Sequence, residues 1–352
     1  MALLENCGMV PRYMGNLSTC DPLYDYLRDE MLPQLLAPGD FRPSRLGYQP
    51  DFRVYRLAGS HEVYLYAEEH SNLHLIGKFF GSHTSGGNIP YGARSEFNRM
   101  RKLRRYGFVD HIPRPLGYNT ALNDVLIEEY CEGVTLTCLL SDAIASGQYE
   151  RLLHALSALA SFLSALHDRT TGGGRPIAFQ EDCDYLERVV NQLVTGHHLS
   201  FADAAEFTWL RVRWRAQQTM WVDHRVLVHG DATPGNFLFR ESSRMTALDL
   251  ERTRCADRVL DLGRVAGEIT HFFLRASGDS HAAHPFIGHF LHAYCEALPD
   301  GDVVIRSVSD RLPFHVGATL LRIARNSWVS KEHRQMLVEE AKLALRKYVP
   351  GG

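Results

Sequence analysis

Between residues 52 and 130 apolar and polar positions alternate in short runs: FRVYRLA (52–58), HEVYLYA (61–67), NLHLIGKFF (72–80), RPLGY (114–118) and DVLIEEY (124–130). A period of two in runs rich in Val, Tyr, Leu and Phe predicts five strands of a small antiparallel sheet. One helix interrupts them. In SEFNRMRKLRRY (95–106), Phe97, Met100 and Leu103 recur at three-residue steps, between Ser95, suited to the N-cap, and Gly107, suited to the C′ position. Glu96 precedes Met100 by four residues and Leu103 by seven, so its carboxylate is aimed at the buried face and needs a partner there.

After Gly133 the period lengthens. Helical stretches are predicted at 149–167, 184–194, 203–221, 257–275, 285–297 and 331–348, with a β-hairpin around 236–250 as the exception. A further helix is predicted at 21–36, with Pro22 near its start and Pro38 after its end. A β-rich stretch followed by an α-rich one argues for an α+β chain with two lobes. The expected division is an N-terminal helical extension (1–48), a sheet domain (49–131) and a helical domain (132–352). No internal repeat is present, and GSHTSGGN (81–88) and TTGGG (170–174) read as flexible loops.

With 45% apolar and 22% charged residues over 352 positions, the chain suits a globular protein of about two domains. Its net charge of -3, with both signs interspersed, gives no strong field for nucleic acid or for an anionic membrane. The seven cysteines are scattered and form no CxxC pair, a pattern of reducing compartments. No basic segment followed by an apolar block opens the chain, so no secretory signal is expected. The most apolar stretch, 152–166, is interrupted by His154, Ser157, Ser161 and Ser164 and falls short of the ~20 residues of a membrane span. The expectation is a cytoplasmic protein without nucleic-acid or membrane partners.

Candidate chemistry concentrates in VLVHGDATPGNFLFRESSRMTALDLE (226–251). A strand delivers His229-Gly230-Asp231 into a loop, and the predicted hairpin, with its turn between Ser242 and Ser243, sets Asn236 opposite Asp249. Cross-strand Cβ atoms lie ~4.5 to 5.5 Å apart, close enough for two oxygen ligands to share a small cation. An amide oxygen with a carboxylate suits magnesium, which keeps several waters and is completed by substrate phosphates. Asp231, five residues before Asn236, is placed to address a substrate hydroxyl. The chain holds only five lysines, and Lys78 alone falls in the predicted sheet, after Leu73, Leu75 and Ile76. An unpaired ammonium there is costly, and Glu96 is the partner the pattern offers; the alternative is an edge-strand lysine reaching water.

HGDATPGN and ALDLE, with an Asp-to-Asn step of five and an Asn-to-Asp step of thirteen, resemble the aminoglycoside phosphotransferase and choline kinase group of the protein-kinase-like superfamily. The resemblance runs over about residues 50–275 and implies a protein-kinase-like two-lobed fold with a five-stranded antiparallel N-lobe and a larger helical C-lobe. It implies that Asp231 is the catalytic aspartate, that Asn236 and Asp249 ligate magnesium, and that Lys78, tied to Glu96, holds the ATP phosphates. His229 would brace the loop, and Asp261 of Asp261-Leu262-Gly263 would cap a helix. Glu251 is acidic in many relatives, and its contact with metal stays open.

Gly59 and Ser60 resemble part of the nucleotide-covering turn, with an ordinary tight hairpin turn as the alternative. LIEEYCEG (126–133) resembles the hinge, in which the main chain of Glu129 and Cys131 would meet the adenine edge. The implied cofactors are ATP, with GTP as the alternative, and Mg2+. The implied acceptor is a small-molecule hydroxyl: an aminoglycoside first, then choline, an amino alcohol or a sugar. A pseudokinase-like binding module is the reading from another class. A protein kinase comes third, because no Asp-Phe-Gly and no Ala-Pro-Glu segment is present.

Three other clusters have simpler accounts. His281, His284, His289, His292 and Cys295 read as a polar helix face, since no HExxH is present. The basic run 99–105 and the Trp/Arg stretch 208–221 read as helix faces. Glu181, Asp182, Asp184, Asp203 and Glu206 either recognise a cationic acceptor or form a solvated face.

Overall fold

A computed structural model describes residues 11–35, 49–57, 62–81, 91–170, 174–241 and 244–347. Gly59 and Ser60, the loops over 82–88 and 171–173, and the turn at Ser242 and Ser243 lie outside the described residues. The chain divides into two compact units. The first comprises Met1–Val134 with Leu238–Arg240 and Thr246–Arg252, and the second the remainder.

The first unit is built on an antiparallel sheet of strands β1 (Arg12–Asn16), β2 (Phe52–Leu57), β3 (Glu62–Glu68), β4 (His74–Phe79), β5 (Pro115–Asn119) and β6 (Val125–Glu129), in the order β1-β2-β3-β4-β6-β5. The alternating stretches give five of the six. The added strand, β1, comes from the segment expected to be only helical. It is a largely exposed edge strand containing a glycine and carries no alternating apolar signal. Strand alternation sends Leu75 and Phe79 to one face and Ile76 and Lys78 to the other. The Leu75 face is covered by the N-terminal segment, whose Tyr24, Leu27 and Met31 pack with Phe52, Tyr66 and Ile127. That segment is not one helix over 21–36. It runs as α1 (Pro22–Tyr26), a π-helical turn (Leu27–Met31) and a 3-10 turn (Leu32–Gln34), because Pro33 has no N–H to continue the helical ladder.

Helix α2 (Ala93–Arg105) starts two residues earlier than its sequence suggests. Gly92, at φ 109°, takes the N-cap position expected of Ser95, and Gly107, at φ 93°, follows its end. Its buried side carries Glu96, Met100 and Leu103. Strands β7 (Val134–Thr135), β9 (Phe237–Arg240) and β10 (Arg244–Ala247) form a three-stranded sheet in the order β10-β9-β7. The hairpin ladder is thus shorter than predicted. Asn236 lies in the 3-10 turn before β9 and Asp249 lies beyond β10, so they are not a cross-strand pair within it.

The second unit is helical: α3 (Leu136–Ser146), α4 (Glu150–Arg169), α5 (Phe179–Thr195), α6 (Phe201–Arg215), α7 (Val259–Ser277), α8 (His284–Glu296), α9 (Gly301–Ala324) and α10 (Lys331–Arg346), with the short strands β8 (Val226–Val228) and β11 (Arg254–Ala256) paired antiparallel. Helices α3 and α9 are absent from the sequence expectation. In α9 an interior Pro313 and a polar first half break the apolar period. Its packing on α7 needs glycine: a Cβ on Gly263 would overlap His315, and one on Gly267 would lie 2.7 Å from Thr319. Trp214, Phe179, Phe207 and Phe314 anchor the core of this unit. No helix among the described residues is long and apolar enough to cross a membrane.

Candidate active site

In the first unit the site begins at Lys78, on β4 between β3 and β6, opposite Val63 and Leu126. Its Nζ lies 2.9 Å from Glu96 Oε2 and 2.7 Å from Asp249 Oδ1. Lys78 and Glu96 are 6% and 2% exposed, so this is a buried ion pair whose separation would strand a charge. Burial alone pushes the Lys78 ammonium down, but Glu96 and Asp249 outweigh it and hold it above the ordinary lysine value. Burial raises the Glu96 carboxyl against the pull of Lys78, and Asp249 adds to the rise. Asp249 itself has φ 56°, a left-handed backbone rare for a residue with a Cβ.

Glu251 joins this group. Single oxygens of Glu96, Asp249 and Glu251 all lie within 4.8 Å of one another, and Arg99 donates to the Glu251 carbonyl at 2.7 Å. Three carboxylates around one ammonium leave an excess of negative charge on hard oxygen atoms, the donor chemistry a divalent cation takes. Glu128 was not singled out in the sequence. It lies on β6 opposite Ile76, and burial together with the Glu96 charge pushes its carboxyl up to about 8. A glutamate pair closing an apolar strand, VLIEE, was the available signal. At the predicted hinge the Glu129 N–H donates to the Arg114 carbonyl at 3.0 Å, so that N–H is committed to the chain itself. Cys131 follows the end of β6 in irregular backbone.

In the second unit the loop after β8 carries Asp231 and Asn236. Gly230 has φ 83°, which a glycine tolerates without strain. The Asp231 carbonyl accepts from Thr233 N at 2.7 Å and from Asn236 Nδ2 at 2.9 Å. That second bond commits the amide nitrogen of Asn236 to the loop.

Asp261 does not cap its helix. It lies in the first turn of α7 and accepts from the N–H groups of His229 (2.7 Å) and Gly230 (2.9 Å), while His167 Nε2 stands 3.2 Å away. Burial works to raise this carboxyl, yet His167 and the loop N–H groups hold it below the ordinary aspartate value. The loop is thus braced by Asp261 and His167 and by His229 itself, whose Nδ1 accepts from the Asp231 N–H at 3.3 Å. Two further residues stand beside Asp231: Arg322 Nη2 lies 3.8 Å from Asp231 Oδ1 and 2.9 Å from Glu268 Oε1. Neither was singled out in the sequence, although a lone glutamate inside RVAGEITHFF is a signal of this kind.

The acidic residues considered for a cationic acceptor are mostly engaged elsewhere. Asp203 pairs with Lys342 at 2.6 Å, Glu206 pairs with Arg346, and Asp184 accepts from Gln180 at 2.6 Å. The histidines of α8 behave as a polar face, with His292 on Glu296 at 3.1 Å and His289 on Ser157 at 2.8 Å.

A family model described as a phosphotransferase enzyme family matches residues 90–303. No curated protein sequence matches the chain. Among solved structures, an ethanolamine kinase of Plasmodium vivax superimposes with a TM-score of 0.55 at 13% identity, over 84% of this chain and 80% of that one. A glucosamine kinase in complex with glucosamine, ADP and inorganic phosphate gives 0.54 at 14% identity, over 84% and 91%. A choline kinase of Streptococcus pneumoniae gives 0.50 at 17% identity, over 84% and 93%. At these identities the likeness is one of fold, that of the protein-kinase-like enzymes.

Proposed function

We propose that this chain, which belongs to the phosphotransferase enzyme family, is a small-molecule kinase that transfers the γ-phosphoryl group of ATP, with magnesium, to a hydroxyl of a small organic acceptor. The reading rests above all on the buried Lys78, held at 2.9 Å by Glu96 and at 2.7 Å by Asp249, in a chain that also carries the HGDATPGN loop. In this reading the sheet-based unit holds the nucleotide and the helical unit supplies the groups that act on the acceptor.

Lys78 neutralises charge on the nucleotide phosphates, and Glu96 fixes where its ammonium stands. The main chain at Glu129 and Cys131 offers a carbonyl and an N–H to the base. The carbonyl oxygen of Asn236 and the carboxylate of Asp249 would hold magnesium, with Glu251 beside Asp249; when bound, the ion would supply neutralisation of phosphate charge. Asp231 orients the acceptor hydroxyl and takes its proton. The acceptor oxygen forms a bond to the γ-phosphorus, the bond from that phosphorus to the β–γ bridging oxygen breaks, and ADP leaves with the electron pair. Positioning and charge stabilisation therefore provide most of the catalysis.

An aminoglycoside, a sugar and an amino alcohol all present a suitable hydroxyl. The test is transfer of label from γ-labelled ATP, with magnesium, across a panel of those three acceptor classes. Labelled product is expected with at least one class, and absence of transfer to every member would overturn the reading.

A further inference from the structure

We infer that Arg322 is the positioning residue of Asp231: anchored by Glu268, its guanidinium sets the orientation of the Asp231 carboxylate by charge. The inference deepens the reading above and rests on Asp231 as the base. Arg322 lies near the end of α9, beyond the residues matched by the family model. Its Nη2 reaches Glu268 Oε1 at 2.9 Å and stands 3.8 Å from Asp231 Oδ1. That Oδ1 atom is buried, although the Asp231 side chain as a whole is 17% exposed.

The anchor is itself fixed. Glu268 is 8% exposed on α7, one turn after Arg264, whose positive charge also acts on it. The helix carrying Arg322 is held against α7 by the close approach at Gly263 and Gly267. A guanidinium is a rigid planar fork, and with its Nη2 tied to Glu268 its positive charge is held in one place beside Asp231. This matters for a base whose contribution depends on alignment, because a displacement of about 1 Å can cost on the order of a hundredfold in rate.

The test uses the full chain and the acceptor found in the panel. Arg322→Met should lower kcat roughly ten- to a hundredfold with the KM for ATP nearly unchanged, and should raise the share of ATP lost to water rather than to acceptor. Arg322→Lys, which keeps the charge without the fork, should recover part of kcat. Glu268→Gln should fall between the two. The double variant Asp231→Ala/Arg322→Met should be no slower than Asp231→Ala alone, since the two residues act as one unit. Wild-type kcat in Arg322→Met, or fully additive losses in the double variant, would overturn the positioning role. Should Arg322→Met fail to fold, Arg322→Lys with unchanged kcat and unchanged transfer-to-hydrolysis ratio would do the same. If instead Asp231→Ala keeps full turnover, the assignment of the base itself is lost, a failure recognisable without any Arg322 variant.

Discussion

A lysine buried in a sheet is tolerated only with its counter-charges in place, and Lys78 has them at 2.9 Å and 2.7 Å. Removing the ammonium should therefore be far more damaging than its small size suggests. Lys78→Met is expected to lose about 3 kcal/mol or more of unfolding free energy, because it leaves the buried Glu96 without its counter-charge. Adding Glu96→Gln to it should restore part of that loss. Denaturant melts of both variants check this, and an additive double variant would show the pair to be uncoupled. The pairing of Lys78 with Glu96 was legible in the sequence, because each is a charge set in an apolar pattern eighteen residues from the other. Asp249 as a second partner was not, since 171 residues separate it from Lys78.

At the scale of elements, the α7–α9 contact governs how the helical unit responds to packing and to acid. Gly267→Ala should destabilise by roughly 1–3 kcal/mol, the usual range for overpacking, since its Cβ would meet Thr319 at 2.7 Å. An unchanged melting temperature would show that the two helices can part at that point. His271 on α7 and His315 on α9 are held at about 4 by burial, well below the ordinary histidine value. The unfolded chain binds protons at these groups near pH 6.5 and the folded chain only near pH 4. Their contribution is thus present above pH 6.5 and lost as pH falls through 4.

Glu268, pushed up to about 7 by burial, works in the opposite direction: its contribution is present below about pH 4.5 and lost as pH rises through 7. A comparison of variants separates the two trends. The stability difference between wild type and His315→Gln should shrink as pH is lowered from 6.5 to 4. A difference constant across that window would mean that His315 is not held neutral. Neither α9 nor the brace that Asp261 and His167 give to the catalytic loop could be read from periodicity. Pro313 disguises the helix, and the brace joins residues 94 positions apart.

For the whole molecule, a ligand that binds only the folded chain raises its stability by mass action. A non-hydrolysable ATP analogue with magnesium, at about a hundred times its dissociation constant, should add about 2.7 kcal/mol, read as a rise in melting temperature. Asp249→Ala should lose most of the magnesium-dependent part of that rise. A variant that keeps it in full would remove Asp249 from the ligand set.

The sequence by itself determined the sheet-then-helix order, the buried Lys78, the strict Asp231–Asn236–Asp249 spacing and the kinase-like class, because these follow from local periodicity and from short steps along one chain. The tertiary structure alone decided the edge strand β1, the third carboxylate at Glu251, and the approach of Arg322 and Glu268 to Asp231. Each of these depends on which distant segments pack together. The free energy of that packing comes from burial and charge compensation between residues far apart in the chain, and a one-dimensional pattern does not encode which partners will meet.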